Sequence, residues 1–253
     1  MEFVRYKILV YSKLSIVIPV YNEINTIHEV LRRVSDVEIG LEKEIILVDD
    51  CSTDGTREVL EKISKNEKGV LDLIPSRDSR SIKVVFHNQN TGKGGALRTG
   101  FAHVTGDITI VQDADLEYDP GDYLRLIKPI LDGQADVVYG SRFLGRRRPE
   151  GMIFSGFVGN RILTFISNTL SGLSLTDMET CYKVMKSSIL KEIELVSDRF
   201  SIEPEITAKL AKKKVKIIEL PISYSGRDHA TGKKINWKDG LSAIYHIIRF
   251  NLK

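Results

Sequence analysis

Within the ten residues "VQDADLEYDP", Val111 to Pro120, four side chains are carboxylates: Asp113, Asp115, Glu117 and Asp119. Negative groups that close repel one another unless a cation sits among them. Two readings are open, a metal site at the end of a strand or a solvated acidic turn. Asp113 and Asp115 are two residues apart, so on a strand they share a face. Oxygen-only ligands with room for water suit Mg²⁺ or Mn²⁺, ions that commonly bridge to substrate phosphates. Asp119 directly precedes Pro120 and fits the cap of a helix starting there, so the four carboxylates need not share one task.

The stretch "NTGKGGALRTG", Asn90 to Gly100, invites a phosphate-loop reading. It lacks the Gly-x-x-x-x-Gly-Lys-Ser/Thr pattern, and Leu97 stands where a dinucleotide fingerprint needs its third glycine. Two possibilities remain. One is a helix N-terminus with Lys93 near the phosphates of a nucleotide. The other is a tight strand-to-helix turn whose glycines allow close packing.

The elements that must position these groups emerge from the apolar pattern. "LSIVIPV", "EIILVDD", "SIKVVFH", "DITIVQD" and "ADVVYGS" read as five strands, with helical patterns between them. Strands apolar on both faces, alternating with helices, predict a mainly parallel central sheet flanked by helices. Ligands of such sheets bind beyond the carboxyl ends of the strands. There the first strand carries Pro19, Tyr21 and Glu23, the second Asp49 and Asp50, and the fourth Asp113 and Asp115. The second half is less regular: an apolar stretch over 151–172, a helix at "EPEITAKLAKK", a strand at "VKIIELPISY" and a closing helix from Trp237 to Phe250. Residues 66–81 and 225–236 read as polar loops. No linker divides the 253 residues, so one domain is expected.

Composition removes several classes. Hydrophobic residues at 42% and charged residues at 28% make a globular balance. A net charge of +3 is too small to imply nucleic acid by itself. The two cysteines, Cys51 and Cys181, give neither a disulfide framework nor a zinc spacing, and the five histidines do not cluster. The N-terminal stretch is too interrupted for a signal peptide, and no run is long and apolar enough for a transmembrane helix.

As an ordered set, "SIVIPVYNE", "ILVDDCSTDGT", "NTGKGGALRTGF", "DITIVQDADLEYDP", "DVVYGSRF" and "TDMETCYKV" resemble the family 2 glycosyltransferases over nearly the whole chain. The nearest likeness is to the polyprenyl-phosphate (dolichyl-phosphate) mannose and glucose synthases. The resemblance implies the glycosyltransferase A-type nucleotide-sugar fold, with a nucleotide-sugar-binding half over about 14–142 and an acceptor-binding half over about 143–253. It also implies transfer of a hexose, with inversion, from GDP-mannose or UDP-glucose to a polyprenyl phosphate. It places the nucleotide at Pro19, Tyr21 and Glu23, its base and ribose by Val48 and Asp50, and donor contacts at Asp113 and Ala114. Asp115 and Glu117 match the metal ligands. Arg142 matches an arginine near the sugar or acceptor phosphate, and Arg227 and Lys233 a basic pair that closes over the diphosphate. Mannose synthases often have glutamine where this chain has Glu117. The chain ends at "HIIRFNLK" without the C-terminal transmembrane helices of membrane-bound members.

A lipid phosphate acceptor is already anionic and needs no protein base. A saccharide or small-molecule hydroxyl would need one, with Asp177 the first candidate and Glu179 the second. Asp177 also reads as a structural cap or as a partner for Lys183 or an arginine. Arg146, Arg147 and Arg148 precede the apolar segment 151–172, a pattern that suits an anionic membrane surface and equally a core helix after a surface loop. The expected location is the cytoplasm, with peripheral contact at the cytoplasmic membrane face or through a separate membrane partner. A nucleotidyltransferase would want a Gly-rich basic loop after the first strand, where "PVYNEINT" stands. A binding module without catalysis would be expected to lose the carboxylates or the Arg227–Lys233 loop.

Overall fold

A computed structural model describes residues 11–67, 81–145, 148–149, 151–226 and 237–252. Seven strands form one sheet: β1 (Lys13–Val20), β2 (Glu42–Asp49), β3 (Ile82–Phe86), β4 (Ile108–Val111), β5 (Val137–Ser141), β6 (Lys183–Lys186) and β7 (Ile217–Pro221). Their spatial order is β3-β2-β1-β4-β6-β5-β7. All neighbouring pairs are parallel except those of β6, which runs antiparallel to β4 and β5.

The helices are α1 (Ile27–Asp36), α2 (Thr56–Ser64), α3 (Gly92–Ala102), α4 (Tyr123–Leu131), α5 (Phe154–Ser171), α6 (Ser187–Lys191), α7 (Ile202–Lys212) and α8 (Trp237–Leu252). The apolar runs that announced β1, β2 and β4 are buried on both faces: Ile16 and Ile18 on one side and Val17 on the other, Ile45 and Leu47 against Ile46 and Val48, and Ile108 and Ile110 against Thr109 are all enclosed. Side chains of that size contribute roughly 1.5–3 kcal/mol each on burial. Asp119 does act as a cap: its carboxylate accepts from the Gly121 N–H at 2.9 Å at the start of a 3₁₀ turn, Pro120–Asp122.

The register aligns the ends that matter. Val20 pairs with Asp49, and Val17 with Val111, so β1, β2 and β4 finish along one edge. Because β6 runs the other way, its first residue, Lys183, pairs with Tyr139 near the end of β5. The loop that enters β6 is thereby delivered to the same edge. Sequence reading did not find β6: four residues, "KVMK", carry no usable periodicity.

Candidate active site

The donor side is a set of loops tied to one another. After β1, Asn22 takes a left-handed backbone (φ 55°), a conformation asparagine tolerates. Its N–H donates to the Ser52 hydroxyl at 3.0 Å, and its side-chain oxygen accepts from the Thr53 N–H at 2.8 Å. The Glu23 N–H donates to the Thr56 hydroxyl at 2.9 Å, and the Ile24 N–H to Asp54 at 3.2 Å. The Thr26 hydroxyl lies 2.7 Å from the Ala114 carbonyl and 2.8 Å from the Glu23 carboxylate. Thus Glu23 and Ala114, 91 residues apart, meet through one threonine. Pro19, Tyr21 and Glu23 are half-buried on this rim. The Val48 side chain is wholly enclosed, so only its backbone could meet a ligand.

Asp50 has a different task from the one its position suggested. It is buried, and its carboxylate accepts from the Thr91 N–H and hydroxyl, each at 2.8 Å, and from the Gly92 N–H at 2.7 Å. It caps the turn into α3. The glycines of "GKGGALRTG" accommodate a neighbouring loop. A Cβ on Gly92, already at φ +84°, would sit 2.6 Å from the Asp198 carbonyl oxygen, and one on Gly94 would sit 2.4 Å from that of Ser197. The Gly95 N–H donates to the Asp198 carbonyl at 2.9 Å. With those amides taken, the start of α3 is a packing junction rather than a vacant phosphate cradle.

Lys93 turns inward from that junction. Its ammonium lies 2.9 Å from Asp113 and 3.0 Å from Glu203 on α7. Burial works against its charge, but the two carboxylates outweigh it and hold the ammonium well above its usual range. Of the two readings of this stretch, the glycines serve close packing, and the Lys93 charge faces Asp113 and Glu203.

Below Asp113, Gln112 is fully buried and accepts from the hydroxyls of Tyr123 (2.6 Å) and Tyr182 (2.7 Å) while donating to the Asp113 carbonyl at 2.9 Å. This fixes the chain where β4 ends. Leu116 then adopts φ 64°, and the Glu117 N–H donates to the Asp115 carboxylate at 3.1 Å. The Glu117 carboxylate accepts from the Tyr224 hydroxyl at 2.8 Å. Among the described residues no three His, Cys, Asp or Glu side chains group as a metal cage. Asp115 and Glu117 form a pair of hard oxygen donors on one short turn. That suits Mg²⁺ or Mn²⁺ completed by phosphate oxygens and water, which is how these ions are usually held beside substrate phosphates.

Across the edge, Arg142 comes directly after β5. Its guanidinium binds Asp177 through two bonds, Nε to Oδ2 at 2.7 Å and Nη2 to Oδ1 at 2.8 Å, while the Arg142 N–H adds a third at 3.0 Å. It also stands 5.4 Å from the centre of the Tyr224 ring and 5.3 Å from that of Phe143. Burial disfavours the guanidinium charge, yet Asp177 more than restores it. Asp177 is wholly enclosed with both oxygens engaged. The first candidate for a base is thus paired with an arginine, the alternative that its sequence reading held open. Glu179, the second candidate, has one enclosed oxygen without a hydrogen-bond partner. Burial, then the nearby charge of Glu203, pushes its carboxyl up to about 8 despite Lys183 and Arg142.

Arg227 and Lys233, with Arg146 and Arg147, lie outside the described residues. Sequence reading took Asn22 only as a helix cap, and it missed Thr26, Ser52, Thr56, Gln112, Tyr224 and Glu203. The cap-forming types in "YNEINT" and "CSTDGT" were a usable signal for Thr26, Ser52 and Thr56; nothing local marks the others.

With 20% identity and a TM-score of 0.67, the fold matches glucosyl-3-phosphoglycerate synthase from Mycobacterium tuberculosis solved with Mn²⁺, UDP and glucosyl-3-phosphoglycerate, over 94% of this chain and 80% of that one. Mannosyl-3-phosphoglycerate synthase from Rubrobacter xylanophilus superposes with a TM-score of 0.67 at 16% identity, over 95% and 72%. The fold is therefore that of the A-type glycosyltransferases. More specifically, the chain belongs to glycosyl transferase family 2, whose sequence model matches residues 15–194. UDP-N-acetylglucosamine–dolichyl-phosphate N-acetylglucosaminyltransferase of Methanococcus voltae is 28% identical over 242 residues, 94% of this chain and 95% of that protein. Undecaprenyl-phosphate 4-deoxy-4-formamido-L-arabinose transferase of Edwardsiella ictaluri is 28% identical over 221 residues, 87% of this chain but only 62% of that longer protein.

Proposed function

We propose that this enzyme transfers a hexose or N-acetylhexosamine, with inversion, from a nucleotide sugar to a polyprenyl phosphate. The observation that carries the reading is a continuous contact path. Glu117 accepts from the Tyr224 hydroxyl, the Tyr224 ring lies beside the Arg142 guanidinium, and Asp177 grips that guanidinium from behind. A carboxylate suited to a metal-bound diphosphate and an arginine suited to a phosphate thus share one tyrosine. The donor's nucleotide would lie along Pro19, Tyr21, Glu23 and the backbone at Val48, with Asp113 and Ala114 nearer the sugar. The full-length likeness to an enzyme that uses UDP-N-acetylglucosamine favours a uridine nucleotide over GDP-mannose.

Asp115 and Glu117 would hold Mg²⁺ or Mn²⁺, which supplies positive charge to the leaving diphosphate. Arg227 and Lys233 add cations to the same group. Arg142, kept charged and oriented by Asp177, binds the acceptor phosphate. An oxygen of that phosphate attacks the anomeric carbon, and the bond to the diphosphate breaks with its electron pair leaving on the β-phosphate oxygen. No protein base is required. A hydroxyl acceptor is the second reading, favoured by Glu179, whose raised pKa matches a base working near neutral pH.

Lipid acceptors call for membrane contact. No helix among the described residues is long and apolar enough to cross a membrane. Phe154, Ile162 and Phe165 on α5 are exposed, as are Leu241, Tyr245, Ile248 and Leu252 on α8, which packs against α5. Arg161 is the only charged residue in α5. Such a face suits insertion into the headgroup region of an anionic bilayer. Two assays test the proposal. Incubation with UDP-N-acetylglucosamine, polyprenyl phosphate and Mn²⁺ should yield the glycosyl phospholipid. Flotation with anionic liposomes at low salt should carry the protein upward. Transfer only to water-soluble hydroxyl acceptors, with the protein left at the bottom of the gradient, would contradict the lipid acceptor.

A further inference from the structure

Lys93 joins two parts of the chain that no local pattern connects. Asp113, at the end of β4, is 90 residues from Glu203, and the ammonium of Lys93 is shared between them at 2.9 and 3.0 Å. Glu203 stands in the first turn of α7 and is itself buried. Its second carboxylate oxygen is enclosed and has no hydrogen-bond partner. A half-satisfied buried carboxylate is costly, and the ion pair with Lys93, with the nearby charge of Lys183, offsets that cost. The backbone reinforces the link. The loop leading into α7 presses on Gly92 and Gly94, and Asp198 caps Gly95, so the starts of α3 and α7 are held as one unit around Lys93.

We propose that Glu203 is a positioning residue for the donor site, setting the orientation of Asp113 through Lys93. The proposal rests on the reading of Asp113 as a donor contact. The ammonium meets both Asp113 oxygens, at 2.9 and 3.1 Å, as well as Glu203 at 3.0 Å; with Glu203 ionised its charge is divided between the two carboxylates, and Asp113 keeps only part of its attraction. Its remaining acceptor capacity then stays available to the sugar. When the Glu203 charge is removed, the ammonium turns fully to Asp113 and competes with the donor for it. Because α7 packs on α5 and α8, the acceptor half of the molecule gains a mechanical handle on the donor carboxylate.

A double-mutant cycle tests this with near-isosteric variants that keep the core filled. Donor affinity is measured by calorimetry with Mn²⁺, using UDP-N-acetylglucosamine and GDP-mannose in parallel, and the nucleotide sugar that binds the wild-type protein carries the cycle. Glu203→Gln is expected to weaken donor binding about tenfold, and to raise the donor KM by a similar factor while kcat changes about twofold or less. Asp113→Asn should weaken binding at least as much. In the Asp113→Asn background, Glu203→Gln should have no further effect, because its route to the donor is gone. Equal and additive losses in both backgrounds would overturn the relay, since a merely structural role predicts additivity. Unchanged affinity in Glu203→Gln alone would overturn it too. Should Asp113→Asn leave donor binding intact, the donor reading itself fails and takes the relay with it. Lys93→Arg, which keeps the charge, should retain affinity within about threefold; a loss as deep as that of Glu203→Gln would contradict the shared-ammonium geometry.

Discussion

The two sides of the site are built by different physics. The donor rim, after β1 and β2, is stitched by short neutral or singly charged hydrogen bonds: Asn22 with Ser52 and Thr53, Glu23 with Thr56, and Thr26 with Ala114. The side proposed to take the acceptor, around β5, β6 and α7, is built from enclosed ions: Arg142 with Asp177, Lys93 with Glu203, and Lys183 near Glu179 and Glu203. Asp115 and Glu117, on the turn after β4, are half-buried rather than enclosed. Buried pairs fix an arginine rigidly but leave no slack if one partner is lost. Donor-side ligands should therefore be separable from stability, and acceptor-side ions should not.

The largest expected effect breaks function without breaking the fold. Asp115→Asn should lower turnover by about a thousandfold or more, in line with losing metal-based charge stabilisation, while the melting temperature moves by only a few degrees. Steady-state kinetics and thermal unfolding of the same preparation check both halves of that statement. The converse comes from Asp177→Ala. It leaves the Arg142 guanidinium buried and unpaired, which should cost about 3–5 kcal/mol in denaturant unfolding, and activity should fall with the folded population and with the misplaced arginine.

Glu179 sharpens the contrast through pH. Its carboxyl is raised from an ordinary 4.5 to about 8. A folded-state pKa above the unfolded one means the contribution is fully present below about pH 4.5 and is lost as pH rises through about 8. Groups facing it are Glu203 on α7, Lys183 on β6, Arg142 after β5, and Asp177 on its own loop. Glu179→Gln cannot ionise, so its stability relative to wild type should improve steadily across that window, by on the order of a few kcal/mol at the alkaline end. Parallel unfolding curves of the two proteins from pH 5 to 9 would expose a wrong sign at once. The smallest effect belongs to the donor rim. Thr26→Val removes the hydroxyl that joins Glu23 to Ala114 and should cost about 1 kcal/mol, with a modest rise in donor KM.

These differences also explain what the sequence disclosed. Apolar runs on both faces and turn residues after them were enough to place β1, β2, β4 and β5, and hence the carboxylates at their ends. Asp119 could be separated from its acidic neighbours because proline comes next. The glycines of "GKGGALRTG" were legible as glycines needed for close approach, but not what approaches them, since the loop at Ser197 and Asp198 is about a hundred residues away. A similar distance, 110 residues, hid the pairing of Lys93 with Glu203, which no periodicity encodes; Asp177 was legible as a partner for an arginine, but not that Arg142, 35 residues earlier, is the one. β6 was missed because an antiparallel strand inserted into a parallel sheet leaves only four ordinary residues as its trace.

The central claim is that Asp115 and Glu117 hold a divalent ion on which nucleotide-sugar binding depends. Calorimetric titration of UDP-N-acetylglucosamine into the full chain, with Mn²⁺, with EDTA, and with Mn²⁺ in the Asp115→Asn variant, addresses it directly. The account predicts saturable binding in the first case and a loss of affinity of about a hundredfold or more in the other two. Binding of equal strength in all three would contradict it.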